Sequence, residues 1–276
     1  MDSFALIIFG ITSNLAQTKL LPALYDITEK GLLPKNTSII GIARGEKSQK
    51  QFTQEILDSL KKAKKKSLNK EIAGKLAKRF IYFQGDANNF ESYKKLQDKL
   101  KDLSSKGIEY KNKIIYLATY PELYETILRN LKQSNLNKQT QGWTRLMIEK
   151  PIGNDLPSAK KLNKLLLQYF NEDQIYRLDH YLGKETLQNI LTFRFNNGIF
   201  EHLMNNKNID HIQITAAEEF GISGRGNYYD SVGALKDVGQ NHILQMLALA
   251  TMNRPQEFTD HAITQERIKL IKSLVP

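Results

Sequence analysis

Nine consecutive residues, Arg177-Leu178-Asp179-His180-Tyr181-Leu182-Gly183-Lys184-Glu185, bring a carboxylate, an imidazole, a phenol and an ammonium into one short stretch. Lys and His donors held close together suit a phosphate, and His180 and Lys184 would share a face if the stretch is helical. A second group, Lys236-Asp237-Val238-Gly239-Gln240-Asn241-His242, opens an apolar helical pattern that runs on to Met252. Either imidazole could serve in proton transfer, and an ordinary structural or surface histidine is the competing reading at both positions.

A third constellation sits near the N-terminus. The all-apolar run Ala5–Phe9 leads into Gly10-Ile11-Thr12-Ser13-Asn14-Leu15-Ala16 and then a helical pattern through Leu20, Ala23 and Leu24, with Thr12 or Ser13 available as the cap. A tight strand-to-helix turn aims free N–H groups and the positive end of the helix dipole at a pyrophosphate. Of the G-x-G-x-x-G pattern only Gly10 is present, and Ser13 stands where a glycine would ease the approach of backbone to phosphate, so an ordinary strand–helix turn competes. The second apolar run, Ile39–Ala43, ends in Ala43 and Arg44, where an NAD site would carry an acid for the ribose diol. Arginine suits a 2′-phosphate, which favours NADP over NAD if the turn binds a dinucleotide; a plain surface arginine is the alternative.

These groups need a scaffold, and the pattern describes one. Short apolar runs at Ala5–Phe9, Ile39–Ala43, Phe80–Gln84, Ile114–Ala118 and Leu146–Ile148 alternate with helical patterns. That beat implies a doubly wound, Rossmann-like parallel sheet with right-handed crossovers over residues 1–150. From Pro151 the pattern changes to a helix around Leu156–Phe170, the stretch Ile175–Leu178, strands at Leu191–Phe195 and Ile209–Ala216, and a helix from Val238 to Met252. This predicts a second, α+β domain over residues 151–276, packed against the first with no flexible linker.

The 276 residues, 41% hydrophobic and 25% charged, exclude fibrous, low-complexity and wholly disordered classes. The absence of cysteine removes disulfides, thiolate metal sites and cysteine nucleophiles. A formal charge of +11 suggests an anionic partner, but much of the excess lies in Lys61, Lys62, Lys64, Lys65 and Lys66, which read as the solvated face of a helix. No aromatic interleaving accompanies them, so nucleic acid is not expected. The apolar stretch Phe4–Ile11 follows Asp2 and lacks a basic flank, and Ile243–Met252 is too short to span a bilayer; a cytoplasmic protein with no membrane partner is expected.

Along nearly the whole chain these blocks resemble the glucose-6-phosphate dehydrogenases. The likeness lies in Leu15–Leu24, Gly41-Ile42-Ala43-Arg44, Tyr116-Leu117-Ala118, Glu149-Lys150-Pro151-Ile152-Gly153, Arg177–Glu185, Gly224-Arg225-Gly226-Asn227-Tyr228-Tyr229-Asp230 and Asp237–His242. It implies an NADP-dependent oxidoreductase that converts glucose 6-phosphate to 6-phosphogluconolactone, the first step of the oxidative pentose phosphate pathway. By the same resemblance His242 is the base for the C1 hydroxyl and Asp179 orients its ring. His180, Tyr181 and Lys184 hold the substrate phosphate, Glu218 and Asp237 the sugar hydroxyls, and Lys150 stands between substrate and cofactor. Gly10, Thr12, Ser13, Leu15, Arg44, Ala118 and Lys150 line the cofactor, and no metal is implied.

Ser13 and Asn14 replace the glycine and aspartate usual in that family, so crowding at Ser13 is expected to weaken cofactor binding. Family members also extend well beyond the length seen here. The mainly antiparallel sheet of the second domain is therefore expected to be incomplete, with an open edge for a second copy or a complementary C-terminal chain. A catalytically weak relative acting as a binding or partner subunit is the alternative function.

Overall fold

The computed structural model describes residues 3–105, 111–139, 142–217, 221 and 226–275, and the chain divides into two compact units, Met1–Leu178 and Asp179–Pro276. The first is built on six strands: β1 (Ala5–Phe9), β2 (Ser38–Ala43), β3 (Phe80–Gln84), β4 (Lys113–Leu117), β5 (Thr144–Ile148) and β6 (Ile175–Arg177). Every pairing is parallel and the order is β3-β2-β1-β4-β5-β6. Parallel neighbours require crossovers, which the helices supply. These are α1 (Leu21–Glu29), α2 (Gln49–Lys64), α3 (Lys70–Ala77), α4 (Phe90–Ser105), α5 (Tyr124–Gln133) and α6 (Leu156–Tyr169).

The continuous apolar character of β1 follows from burial on both faces. Ala5, Ile7 and Phe9 join Ile40, Ile42, Ile115, Leu117, Leu146 and Ile148 under α4, α5 and α6. Leu6 and Ile8 point the other way and pack with Ile39 and Phe80 under α1, α2 and α3. The side-chain period of two divides each strand between these layers, and truncating a fully buried isoleucine such as Ile7 or Ile8 to alanine costs about 2–5 kcal/mol. Helix α6 and strand β6, which the sequence pattern places beyond Pro151, belong to this first unit: Leu166, Phe170 and Ile175 complete one apolar layer, and β6 pairs with β5 as the edge strand.

The lysine-rich segment is a helix face. Ser48 and Gln51 form a capping box at the start of α2, Phe52, Ile56 and Leu60 are buried, and Lys61 and Lys62 are exposed in its last turn, where cations complement the helix dipole. Lys64 pairs with Asp26 of α1.

The second unit is helical among the described residues: α7 (Glu185–Phe195), α8 (Gly198–Leu203), α9 (Gly226–Ala234), a π-helical segment Leu235–Ile243, α10 (Leu244–Thr251) and α11 (Asp260–Ser273). Leu191–Phe195, expected as a strand, is the end of α7. The reason is packing: Leu187, Ile190 and Leu191 recur at helical spacing and meet Leu249 and Met246 of α10, and Arg194, two turns on from Leu187, donates to the Leu249 carbonyl at 2.9 Å. Ile209–Ala216, also expected as a strand, is irregular, and no described residue beyond Arg177 forms a strand that could pair with it. The antiparallel sheet expected for this unit is thus not among the described elements.

Candidate active site

In the first unit the strand order reverses between β1 and β4, the place where an open parallel sheet leaves a crevice at its carboxyl ends. The register aligns Ile42, Phe9, Leu117 and Ile148 across four neighbouring strands. One or two residues further along each strand stand Arg44, Gly10, Ala118 and Lys150, so four of the cofactor candidates occupy one edge of the sheet.

Gly10 has φ +82°, and a Cβ there would lie 2.5 Å from the Ala118 carbonyl oxygen and 2.9 Å from Thr119 Cγ2. Both conformation and space therefore demand glycine. The Gly10 N–H donates to the Ile42 carbonyl at 3.0 Å and the Ser13 N–H to the Gly10 carbonyl at 2.9 Å, which fixes the turn. Ser13 Oγ accepts from the Ala16 N–H at 3.2 Å, so its hydroxyl is spent on capping the helix that follows. Thr12 is exposed at the turn, Leu15 packs into the apolar layer beneath it, and Arg44 is exposed at the end of β2. A cradle that a Cβ would fill, beside an exposed guanidinium, fits a phosphorylated dinucleotide.

The loop after β5 is anchored by a pair that sequence motifs alone do not disclose. The Tyr116 phenol on β4 donates to Glu149 Oε1 at 2.5 Å, and this fixes the residue that precedes Lys150. Burial, then this hydrogen bond, raises the Tyr116 pKa, and burial with the Glu149 charge pushes Tyr124 up to about 12. Gly153, at φ +80°, lets the loop pass so close to α6 that a Cβ would lie 2.4 Å from the Ala159 nitrogen. Tyr116 and Glu149 lie in separate motif blocks, and only the alignment of β4 beside β5 brings them together.

In the second unit, Asp179 Oδ1 lies 2.9 Å from His242 Nδ1. The same oxygen accepts the Tyr181 N–H at 2.9 Å, so the carboxylate is oriented by its own turn. His242 is 2% exposed and stacks on Tyr181, with ring centroids 3.9 Å apart and planes 12° from parallel. His180 meets His242 edge-on at 4.7 Å, and Lys184 Nζ lies 3.6 Å from the Tyr181 ring centroid. The stretch 179–184 is a run of turns rather than a helix, and the Lys184 N–H bonds to the Tyr181 carbonyl, so His180 and Lys184 gather around Tyr181. Asp237 is buried and accepts from the Tyr229 phenol at 3.4 Å. Arg177, the first residue of the block, is held in the first unit by Glu172 at 2.6 Å. Glu218 lies outside the described residues.

The arrangement suits proton abstraction. A histidine whose Nδ1 faces a carboxylate carries its proton there as the neutral tautomer and leaves Nε2 as the base. His180 and Lys184 provide donors for an anion beside it. Asp179, His180 and His242 each offer one ligand atom within 4.8 Å of the others, a set of the kind that could also hold a cation.

Residues 7–189 match the NAD-binding domain of glucose-6-phosphate dehydrogenase and residues 191–276 its C-terminal domain. The chain is 45% identical over 274 residues to the glucose-6-phosphate 1-dehydrogenase of Borreliella burgdorferi, with 99% of this chain and 55% of that protein covered. It is 40% identical to that of Chlamydia muridarum, with 98% and 54% covered. A solved glucose-6-phosphate dehydrogenase in complex with its substrate glucose-6-phosphate superposes with a TM-score of 0.91 at 33% identity, over 99% of this chain and 56% of that one. The chain spans little more than half the length of these relatives. With the two family models matching residues 7–189 and 191–276, and with the strand edge and the His242–Asp179 pair in place, the chain belongs to the glucose-6-phosphate dehydrogenase family.

Proposed function

We propose that this chain oxidises C1 of glucose 6-phosphate to 6-phosphogluconolactone with NADP⁺ as the hydride acceptor. The observation that carries the reading is the buried His242 hydrogen-bonded to Asp179, with His180, Tyr181 and Lys184 gathered beside it. His242 Nε2 accepts the C1 hydroxyl proton, and Asp179 stabilises the imidazolium that results. His180, Tyr181 and Lys184 bind the phosphate, and Asp237 and Glu218 the sugar hydroxyls. The first unit holds the cofactor at the Gly10 turn, with Thr12, Ser13, Leu15, Ala118 and Lys150 lining it and Arg44 on the 2′-phosphate. NADP⁺ bound there would supply the acceptor for the hydride that leaves C1. Cofactor binding falls to residues 1–150 and sugar-phosphate binding to residues beyond 151.

No helix among the described residues is long and apolar enough to cross a membrane. A cytoplasmic site of action, and association with a second copy or with a complementary C-terminal chain, complete the proposal. The reading as a non-catalytic partner subunit is disfavoured by the intact His–Asp pair. The test is absorbance at the reduced-nicotinamide band with purified protein, glucose 6-phosphate and NADP⁺. Turnover that disappears in His242→Asn supports the proposal, and no turnover by the wild-type chain overturns it.

A further inference from the structure

Trp143 precedes β5, and Arg145 and Met147 follow it at every second position, so the three side chains leave the sheet on one face. Tyr176 of β6 pairs with Met147, which sets it diagonally across from Arg145. This is the face that α1, α2 and α3 cover beside β1, β2 and β3; on β5 and β6 Trp143 and Met147 are only partly buried, and Tyr176 is exposed. The Arg145 guanidinium carbon lies 4.4 Å from the Trp143 ring centroid and 5.3 Å from that of Tyr176. Trp143 packs in turn against the buried Phe4, with ring centroids 5.9 Å apart, which steadies the indole.

No carboxylate accompanies this guanidinium. Among the described residues it has neither an ion-pair nor a hydrogen-bond partner, and none of its nitrogens is buried. The Trp143 indole N–H and the Tyr176 phenol also lack a protein partner there. Three kinds of donor thus stand side by side with no protein acceptor. Packing alone would be served by an uncharged side chain. Aromatic contact holds a planar guanidinium by its weakly hydrated faces and leaves the rigid fork of N–H groups at its edge. That fork matches two oxygens of a carboxylate or a phosphate, and here its plane is set before a ligand arrives.

We propose that Trp143, Arg145 and Tyr176 form a binding site for a small oxyanion, a phosphate or a carboxylate, with Arg145 as the bidentate donor and the indole N–H and phenol beside it. The site is separate from the cofactor crevice. Arg145 stands near the amino end of β5, three residues before Ile148, which at about 3.3 Å per residue places it about 10 Å along the strand from the end that carries Lys150. Anion binding here uses neither the Gly10 turn nor the His242–Asp179 pair, so the proposal stands whether or not the chain turns over glucose 6-phosphate.

Trp143 is the single tryptophan of the chain, so indole fluorescence reports on this site. The full chain, free of nucleotide, is titrated with inorganic phosphate and separately with acetate, at constant ionic strength made up with chloride. A saturable change in Trp143 emission with either anion supports the proposal, and the lower midpoint tells whether phosphate or carboxylate is preferred. Arg145→Gln should raise that midpoint by at least about tenfold, the scale of a lost hydrogen bond to a charged group. Arg145→Lys, which keeps the charge without the fork, should fall between Arg145→Gln and wild type. Tyr176→Phe, which keeps the ring, should weaken binding less than Arg145→Gln. Emission that responds to neither anion, or a change without a plateau that chloride reproduces, overturns the proposal. So does an unchanged midpoint in a folded Arg145→Gln protein, and if that variant does not fold, an unchanged midpoint in Arg145→Lys does the same.

Discussion

His242 Nδ1 and Asp179 Oδ1 stand 2.9 Å apart across a sequence separation of 63. The aspartate sits in a turn whose backbone grips the same oxygen, and the histidine is buried on a π-helical segment against the Tyr181 ring. Neither group can rotate away without losing a neighbour. That rigidity is what general-base catalysis asks of the pair, because orientation and tautomer are set before substrate binds.

His242→Asn should therefore lower kcat by at least about 10²-fold, the usual range for loss of a general base, with the dissociation constant for NADP⁺ little changed. Asp179→Asn should also be slow, because the imidazole loses the acceptor that selects its tautomer. Steady-state kinetics and a cofactor titration on each variant check both statements. Near wild-type kcat in His242→Asn would place the base elsewhere.

Arg44 stands exposed just past the end of β2, two residues beyond Ile42, the partner of Phe9 in the strand register. Arg44→Ala should weaken NADP⁺ binding by about 1–3 kcal/mol, the scale of a hydrogen bond to a charged group, and leave NAD⁺ nearly untouched. Fluorescence titration with both cofactors measures the difference. Equal losses would remove Arg44 from the 2′-phosphate.

How much of this was legible in residues alone follows from the physics of each element. The parallel sheet was readable because a strand buried on both faces must be apolar throughout, and Ala5–Phe9 and Ile39–Ile42 are. Leu191–Phe195 misleads for the same reason: a five-residue apolar run fits a buried helix end as well as a strand, and only contact with α10 decides. The Tyr116–Glu149 bond depends on which strands become neighbours, and the Asp179–His242 bond on a chain reversal, neither of which has a spacing signature. The dyad was reached through family likeness; the Tyr116 hydrogen bond that fixes Glu149, the residue before Lys150, needed the folded structure.

The buried phenols of the first unit predict alkaline sensitivity. Burial is the leading cause that raises Tyr93, Tyr116 and Tyr124, the last to about 12. A phenol whose folded pKa exceeds the unfolded value of about 10 gives its full stabilisation below that pH and loses it as pH rises through the folded value. The urea midpoint should thus fall between about pH 10 and 12, and Tyr124→Phe should fall less steeply than wild type over that window. An equally steep fall would mean that Tyr124 does not stay protonated in the folded protein.

Gly10 makes the most direct test of the cofactor crevice. In Gly10→Ala the new methyl would stand 2.5 Å from the Ala118 carbonyl oxygen, at a φ of +82° that alanine disfavours. The turn must shift, at a cost on the order of 1–3 kcal/mol for the backbone strain alone, and the shift displaces the helix start that Ser13 caps. Cofactor affinity should drop by at least tenfold for both NADP⁺ and NAD⁺, because the defect lies under the pyrophosphate they share, whereas Arg44→Ala separates the two. The melting temperature should also fall. A Gly10→Ala protein that binds NADP⁺ like wild type would show that the dinucleotide does not lie over this turn, whatever the second unit does with the sugar.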